Sequence, residues 1–342
     1  MKQQKKLFIL FLSISSFVFA QEETKNNAYI KTFKEYFALK LSTSNSAKSF
    51  TITSPQTSYT LSPQSKQIPK IGLNYQFISV QVTLPIINYI NDFDSRKGTT
   101  KTTDIGLNIF MPHWHHYFLY QKTKGYYLKN TEDFITNWND QKDDYIQFSD
   151  LVYKEYSGIS TFALNPNFSL KSLTNQSEKQ MISVGSFIPS ISYKYYIIDN
   201  QENITSDNST QKSNNLEFIL QVGYMYNHIL TKNFFISGGL SGGAGYKYTK
   251  LLTRLDKDEV RSKNHSNSIQ LETDFTLGYD NNRFYSGCNI SRTINKHFQK
   301  RSTATLIEQT IRLNVYVGYR FDPPKKLDHY IKEKIMKKYN IK

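Results

Sequence analysis

The last patterned stretch of the chain, from Ile307 to Phe321, alternates between two kinds of side chain at every residue. Its odd positions are Ile307, Gln309, Ile311, Leu313, Val315, Val317, Tyr319 and Phe321, and its even positions are Glu308, Thr310, Arg312, Asn314, Tyr316, Gly318 and Arg320. A period of two indicates a β-strand with two chemically different faces. The stretch is longer than the about 9 to 11 residues that a tilted strand needs to cross a bilayer. Placing Arg312 in lipid would cost about 2 to 4 kcal/mol, so the odd face is predicted to contact hydrocarbon.

The same alternation recurs along the chain. Alternation alone also fits a soluble β-sandwich, but strands in globular proteins average only about 5 or 6 residues. The long runs here, with aromatic residues at their ends, favour a membrane barrel. We predict strands at 33–42, 69–77, 79–86, 102–110, 114–123, 155–165, 181–197, 215–228, 232–249, 267–280, 283–293 and 306–321.

The gaps between these strands are alternately long and short. From a periplasmic N-terminus, long gaps fall on the outer side and short gaps on the periplasmic side, except for a gap from Pro166 to Gln180 that we interpret as a turn with extended arms. The pattern predicts an all-β fold, a transmembrane antiparallel up-and-down β-barrel of about 12 strands with long outer loops and short periplasmic turns. The segment from Ser49 to Leu61 also has strand character, as a hairpin above the membrane or as extra wall strands, so 14 is the alternative count.

The N-terminus predicts export. Residues 1–20 combine three lysines, an apolar stretch from Leu7 to Phe19 and small residues before a cleavage site after Ala20, which is typical of a signal peptide. Residues 21–322 would then form the barrel, and residues 323–342 a basic periplasmic tail. We therefore expect a monomeric protein in the bacterial outer membrane. The only cysteine, Cys288, excludes a disulfide scaffold.

The formal net charge falls from +15 to +12 when the three lysines of the signal peptide are removed. A nucleic-acid partner is not expected, because exported proteins rarely meet one and no basic stripe interleaved with aromatics is present. The expected partners are outer-membrane lipids, including lipopolysaccharide. Phe321 is a terminal aromatic of the kind that barrel-insertion machinery reads.

The tail has apolar residues at helical spacing, Leu327, Tyr330, Ile331 and Ile335, among many lysines. One interpretation is an amphipathic helix on the inner leaflet or against a periplasmic partner. The alternative is a solvated basic tail.

Several stretches together resemble one known family, the Bacteroidota barrel family catalogued as domain of unknown function 4421. The similar stretches are Lys70–Tyr75, Asp104–Asn108, Lys124–Leu128, Phe168–Lys171, Gly185–Phe187, Phe235–Leu240 and Val317–Phe321. The resemblance runs from about residue 30 to residue 322 and implies a single outer-membrane barrel. It implies no active site, because the family has no assigned activity.

Inward-facing charges are the candidate functional residues. By parity, the charged side chains predicted to line the lumen are Lys40, Lys194, Glu217, Glu272, Asp274, Arg312 and Arg320. Both signs occur, so we expect ion pairs across the lumen. One strand has only small inward residues, Ser237, Gly239, Ser241, Gly243 and Gly245, which would either line a passage or accept bulky neighbours such as Tyr285 and Tyr316.

The sequence also contains histidines, acidic residues and serines that could bind a metal ion or act in catalysis. His113, His115 and His116 surround Trp114, but a strand would point His116 away from the other two, so we expect an interfacial belt and no metal site. The acidic residues of the outer loop, Glu132, Asp133, Asp140, Asp143, Asp144 and Asp150, have no EF-hand spacing and are expected to be solvated. His228 and His297 lie near strand ends, but no nucleophile motif singles out a serine partner.

These observations predict an outer-membrane barrel that is a narrow polar pore or a structural or binding element of the envelope, without cofactors and without catalytic residues. The alternative is a lipid-modifying enzyme of the esterase or lipid A deacylase type.

Overall fold

A computed structural model describes the greater part of the chain. The described residues are 28–53, 56–64, 67–84, 94–111, 113–206, 208–299 and 305–337. The predicted signal peptide, residues 1–20, lies outside them.

The described chain is built almost entirely of strands. These are β1 (Ile30–Thr32), β2 (Phe37–Thr53), β3 (Ser58–Ser62), β4 (Gln67–Tyr75), β5 (Ile78–Thr83), β6 (Lys101–Phe110), β7 (Trp114–Leu128), β8 (Gln147–Phe162), β9 (Glu178–Gln180), β10 (Val184–Asn200), β11 (Thr210–Ile229), β12 (Phe234–Arg254), β13 (Glu259–Asp280), β14 (Phe284–Gln299) and β15 (Thr305–Phe321). The helices are α1 (Lys171–Thr174) and α2 (Lys325–His329), with 3-10 turns at Ser95–Lys97 and Thr131–Asp133 and a π-helical turn at Tyr330–Met336.

Twelve of these strands close into an antiparallel barrel. Neighbouring strands follow in the order β2, β4, β5, β6, β7, β8, β10, β11, β12, β13, β14 and β15, and β15 pairs back onto β2, with Leu313 opposite Asn45. The predicted all-β fold with 12 wall strands is therefore confirmed. Closure removes the exposed edges that an open sheet would present to lipid, where unpaired backbone groups are too costly.

The segment considered as two further wall strands forms a hairpin on the outer side of the barrel. The upper half of β2 pairs with β3, with Phe50 opposite Leu61, and β3 also reaches β7 at Ser62 and Tyr127. This hairpin bridges from β2 to β7 above the shorter strands β4, β5 and β6. The alternative count of 14 is therefore wrong, and the hairpin interpretation describes this segment.

The outer surface of the barrel carries a belt of exposed apolar side chains. Leu220 is 68% exposed, and Phe187 and Val222 are each 58% exposed. The odd positions of β15 from Ile311 to Phe321 are outward, while Tyr316, Gly318 and Arg320 are buried. Water-soluble proteins bury such residues, so this belt contacts the hydrocarbon of a membrane. No helix among the described residues is long and apolar enough to cross a membrane.

The strands continue further on the outer side than the sequence predicted. The gaps predicted at 198–214 and 250–266 shrink to 201–209 and 255–258, because β10 to β13 extend as hairpins beyond the apolar belt. At the other end of the chain the tail is helical from Lys325 to Met336, and the hydroxyl of Tyr75 donates a hydrogen bond to Asp328 Oδ1.

Candidate functional site

Two chain segments, residues 29–36 and 163–183, fold into the periplasmic mouth of the barrel. Together they are called the periplasmic seal. Strand β1 pairs with β9 as a small two-stranded sheet, with Ile30 opposite Gln180, and α1 precedes β9 in the same segment. The stretch from Pro166 to Gln180 was predicted as a turn with extended arms; instead, its polar side chains are buried and hydrogen-bonded inside the mouth.

The seal contacts strands on all sides of the ring. Lys40 of β2 donates to Thr174 O over 3.0 Å, Asn74 of β4 donates to Asn175 O over 3.1 Å, and Asn227 of β11 donates to Ser172 Oγ over 3.3 Å. Lys179 of the seal donates to Asp280 O on β13 over 2.6 Å. In addition, Phe168 packs with Ala163 and Ile188, and Met225 packs against this cluster. The segment therefore lies across the mouth and is held from opposite walls.

Arg320 is the main anchor of the seal. It is 1% exposed and forms a bidentate pair with Asp280, with Nη1 and Nη2 each 2.8 Å from a carboxylate oxygen. Its Nη2 also donates to Gln176 O over 2.5 Å, and its guanidinium lies 4.0 Å from the centroid of the Phe33 ring. One arginine thus joins the wall to both segments of the seal. Arginine suits this position because its planar fork serves several acceptors at once.

A second group of charges crosses the lumen nearer the outer side. We call it the lumen cluster; its charged members are Lys48, Glu155, Lys194, Glu217, Lys247 and Glu308, and it includes His297, Tyr153 and Tyr196. The three lysines balance the three glutamates in charge.

Lys194 is the centre of the lumen cluster. Its Nζ lies 2.9 Å from Glu217 Oε2 on the neighbouring strand and 2.9 Å from Glu308 Oε2 on the distant strand β15. Tyr196 donates to Glu308 Oε1 over 2.6 Å, and His297 Nε2 lies 3.1 Å from the same oxygen. The buried carboxylates are therefore paired and hydrogen-bonded, as burial of charge requires.

Aromatic and aliphatic side chains fill the lumen beside this cluster. Phe50, Tyr126, Leu151, Tyr153 and Tyr196 form one buried group, with each residue at most 5% exposed. Phe50 and Tyr153 have ring centroids 5.4 Å apart although they come from β2 and β8. At this level the β2–β3 hairpin brings β2 close to β7 and β8, and the contacts of Lys194 and Tyr196 with Glu308 join β10 to β15. Side chains therefore cross the lumen at this level as well as at the seal.

The middle of the lumen differs from both ends. Glu272, Asp274 and Arg312 are partly buried there, and within the described part of the chain none of them forms an ion pair within 4.0 Å. Nearby, Lys70 Nζ is 2.7 Å from Asp104 Oδ2. Charged groups that stay apart in a barrel interior need water around them.

The strand of small inward residues accepts bulky neighbours. A Cβ added at Gly243 would lie 2.7 Å from Gln221 Cγ, and one added at Gly245 would lie 2.7 Å from Ile219 Cγ1. The packing interpretation therefore describes this strand, but with neighbours from β11. Tyr285 and Tyr316, the neighbours named from the sequence, pack over Gly318 and Gly287 instead.

The structure thus divides the predicted lumen charges among three sites. Lys40 and Arg320 hold the seal, Lys194 and Glu217 lie in the lumen cluster, and the mid-lumen group contains Glu272, Asp274 and Arg312. Phe321 points outward at the end of β15 and is 44% exposed. The sequence prediction missed the remaining cluster charges, Lys48, Glu155, Lys247, Glu308 and His297. Lys48 was beyond the predicted end of its strand, although Glu308 and Lys247 follow the same inward parity.

One group of potential metal ligands occurs among the described residues. Atoms of Glu217, His297 and Glu308 lie within 4.8 Å of one another. The ammonium group of Lys194 already bridges the two carboxylates, in the position that a cation would take. The group therefore holds a lysine where a metal site would hold its ion.

The histidines near Trp114 diverge as the strand geometry predicts. His115 Nε2 lies 2.8 Å from Asn108 Oδ1, and its ring stacks on Phe110. His116 points to the other face of β7, where its Nδ1 lies 2.8 Å from Ser160 Oγ and its ring stacks on Trp114.

Two serine–histidine contacts lie on the outer wall near the periplasmic side. Besides the Ser160 pair, Ser183 Oγ lies 3.3 Å from His228 Nδ1 and accepts a hydrogen bond from Ile229 N over 2.9 Å. Among the described residues, neither histidine has a carboxylate within 4.0 Å. Each contact therefore lacks the orienting acid of a catalytic triad.

Comparison with known proteins assigns the family. Residues 24–321 match the family described as Domain of unknown function (DUF4421). The chain belongs to this family. No curated protein sequence matches it.

Comparison with solved structures gives matches of low sequence identity. The outer membrane protease OmpT from Escherichia coli is 6% identical, with a TM-score of 0.42, and the match covers 85% of this chain and 98% of that one. The P. putida toluene transporter TodX is 8% identical, with a TM-score of 0.24 and coverage of 84% and 90%. The translocator domain of autotransporter NalP from Neisseria meningitidis is 7% identical, with a TM-score of 0.29 and coverage of 94% and 96%. The closed ring of strands and the exposed apolar belt make the protein a membrane β-barrel. The likenesses to solved structures assign it no activity.

Proposed function

We propose that this protein is a structural or binding barrel of the outer membrane whose lumen is closed at rest. The observation that carries the proposal is the periplasmic seal, which contacts β2, β4, β11, β13 and β15 from inside the mouth. A passive porin needs a continuous aqueous path, and barrels of about 16 strands provide one more readily than barrels of 12. The lumen cluster adds a second obstruction.

A narrow polar pore is the second candidate, because the middle of the lumen is polar. Glu272, Asp274 and Arg312 lie there without ion pairs to one another, an arrangement that suits passing water and ions. In this version the seal and the outer aromatic group must both move before anything passes. The pore would then be gated and not constitutive.

Planar-bilayer recording separates the two versions. The wild-type protein and a variant with residues 166–180 replaced by a short glycine-containing turn would be compared in the same lipid. We expect the wild type to be electrically silent. With the seal removed, the gated pore still needs the buried group of Phe50, Tyr126, Leu151, Tyr153 and Tyr196 to move. Transient steps of conductance in this variant that change in the Arg312→Gln or Glu272→Gln background would therefore support the gated pore. Steady conductance of the wild type would contradict the closed barrel.

We also propose that the barrel is not an enzyme, because neither outer-wall serine–histidine contact has an acid partner. Lipids from cells with and without the protein would be compared by mass spectrometry. Unchanged lipids are expected. A lipid product that depends on Ser183 or Ser160, and is lost in the corresponding alanine variant, would contradict this and support the esterase alternative.

The remaining proposals concern export and assembly. Cleavage after Ala20 would be checked by N-terminal sequencing of protein from the outer membrane, where an uncleaved N-terminus would contradict it.

Replacing the outward Phe321 by serine should slow insertion by the barrel-insertion machinery, and unchanged insertion would contradict that role. A periplasmic partner of the tail would be sought by crosslinking from residues 323–342, with a chain ending at Asp322 as the control.

A further inference from the structure

Four lysines form a basic patch on the lipid-facing wall just above the apolar belt. The patch consists of Lys101 on β6, Lys122 and Lys124 on β7, and Lys154 on β8. Lys101, Lys122 and Lys124 are exposed, whereas Gln121 and Thr123, which alternate with the lysines of β7 on its opposite face, are buried. The patch therefore faces outward, on the same side of the wall as the apolar belt.

The strand register places like charges directly opposite each other. Lys122 lies opposite Lys154, and Lys101 lies opposite Lys124. Directly opposed residues have Cβ atoms only about 4.5 to 5.5 Å apart, and like charges at that spacing repel. An arrangement that repeats this repulsion at two adjacent positions favours an anion held between the lysines.

The described protein itself supplies little of that negative charge. Lys124 Nζ is 2.8 Å from Asp150 Oδ1, and this is the one ion pair within 4.0 Å that the four lysines make with described residues. A patch of four positive charges thus faces one carboxylate. Three of the four lysines are therefore available to an anion from outside the wall.

A row of tyrosines fixes the height of the patch relative to the membrane. Tyr120, Tyr156 and Tyr195 lie side by side in register, with ring centroids 5.2 Å and 6.5 Å apart. Lys122 and Lys154 lie two residues beyond these tyrosines, which is about 7 Å along a strand. Tyrosine rows mark the boundary between hydrocarbon and headgroups, so the lysines stand at headgroup level.

A cavity of about 130 Å³ adjoins the patch on the same face. Its lining consists of two apolar residues, two lysines, one aspartate and one glutamine: Val152, Ile197, Lys154, Lys212, Asp199 and Gln201. Asp199 is already paired with Arg254 at 2.8 Å and with Lys212 at 3.7 Å. The cavity therefore offers the amine of Lys154 beside apolar surface, which suits the junction of an acyl chain and a charged headgroup.

We propose that this wall binds the phosphorylated headgroup of an outer-leaflet glycolipid. The phosphates lie between Lys122 and Lys154 and between Lys101 and Lys124, and the acyl chains descend past Tyr120 and Tyr156 along the apolar belt. Lysine stems contact apolar surface while their ammonium groups reach upward to the phosphates. A soluble acidic protein would not need the patch to sit directly on the tyrosine row, so the lipid is the occupant that the geometry favours.

The test is binding of purified diphosphoryl lipid A to the full-length barrel in neutral detergent, measured by native mass spectrometry and by the shift of the thermal unfolding temperature. We compare the wild type with Lys122→Gln/Lys154→Gln. The control, Lys142→Gln/Lys257→Gln, removes the same charge from outer loops away from the patch. Expected results are a tenfold or greater loss of affinity in the patch variant and a change of less than twofold in the control. Dephosphorylated lipid A should bind the wild type as weakly as diphosphoryl lipid A binds the patch variant.

Two outcomes would overturn the proposal. One is equal affinity of the folded wild type and patch variant for diphosphoryl lipid A. The other is loss of binding in Lys250→Gln/Lys263→Gln, a second opposed lysine pair on β12 and β13, with no loss in the patch variant. Folding of each variant is checked by its gel mobility before and after heating. If the double variant fails to fold, the single variants Lys122→Gln and Lys154→Gln replace it and must each weaken binding at least threefold.

Discussion

The periplasmic seal and the middle of the lumen both contain charged residues, but the charges of the seal are paired and those of the middle of the lumen are not. At the seal, Arg320 is 1% exposed and donates to Asp280, Asn281 and Gln176. In the middle of the lumen, Glu272 and Arg312 face the same space, and in the described structure they form no ion pair within 4.0 Å. Inward parity identified both groups equally well. Parity therefore locates lumen charges but does not distinguish a charge that holds the fold together from one that makes no close ion pair.

The largest expected effect comes from breaking the seal at its anchor. Arg320→Ala leaves the buried Asp280 carboxylate without its partner, which should destabilise the fold by about 3 to 5 kcal/mol. Urea unfolding in lipid vesicles measures this change. Arg320→Lys is the matched control and should lose less, because it keeps the charge but not the planar fork. A loss below about 1 kcal/mol for the alanine variant would mean that the seal is not anchored here.

Removing the central lysine of the lumen cluster should lower the free energy of unfolding nearly as much. Lys194→Met removes the ammonium group between Glu217 and Glu308, so two buried carboxylates face each other without it. We expect a destabilisation of about 3 kcal/mol. Adding Glu217→Gln to this variant should recover part of the loss, since one unpaired charge is removed. Purely additive losses in the double-mutant cycle would contradict direct coupling of the two residues.

The middle of the lumen should tolerate the same kind of change. Arg312→Gln is expected to alter the free energy of unfolding by less than about 1 kcal/mol, because Arg312 makes no ion pair within 4.0 Å with a described residue that the change would break. The same urea experiment measures it. A loss as large as that of Arg320→Ala would show that Arg312 is a structural charge, and the comparison between the two regions would fail.

The smallest effect concerns pH and an outer loop. Hydrogen bonds from Arg96 lower the pKa of Asp94 to about 2, with Lys97 adding to the shift. Because this pKa lies below the ordinary value of about 3.9, the contribution to stability is complete above pH 4 and is lost as the pH falls through 2. The fluorescence of Trp138, which packs on Tyr145 near Arg96, should report local loosening in a Trp114→Phe background. Asp94→Asn should abolish this acid transition, and an unchanged transition in that variant would assign it to another group.

Much of the fold follows from local pattern. The strands are longer than a bilayer requires, and their period of two decides whether each side chain points toward the lipid or toward the lumen. The order and direction of the 12 wall strands could therefore be predicted. The ends of the strands could not, because beyond the apolar belt the outward residues become polar and the alternation fades. That is why Lys48 was missed, although β2 continues to Thr53 and the side chain of Lys48 points into the lumen. Glu155 was missed although it is the first residue of the strand predicted at 155–165.

The seal could not be predicted for a different reason. The residues from Pro166 to Gln180 have the polar composition of an exposed turn, and their burial depends on partners distant in sequence. Gln176, for example, is held by Lys40 and Arg320, which are 136 and 144 residues away along the chain. Only the closed barrel brings these groups together. The length of this gap, which exceeds that of the other periplasmic turns, was the one sequence feature that indicated additional structure here.

The most direct test of the closed lumen is the accessibility of its middle to a water-soluble thiol reagent. Asn314→Cys, in a Cys288→Ser background, places a single thiol on the inward face of β15 between the seal and the lumen cluster. In vesicles treated from both sides with a charged methanethiosulfonate, we expect slow labelling of the complete protein and rapid labelling once residues 166–180 are replaced by a short turn. Rapid labelling of the complete protein, at the rate seen after unfolding, would contradict the account.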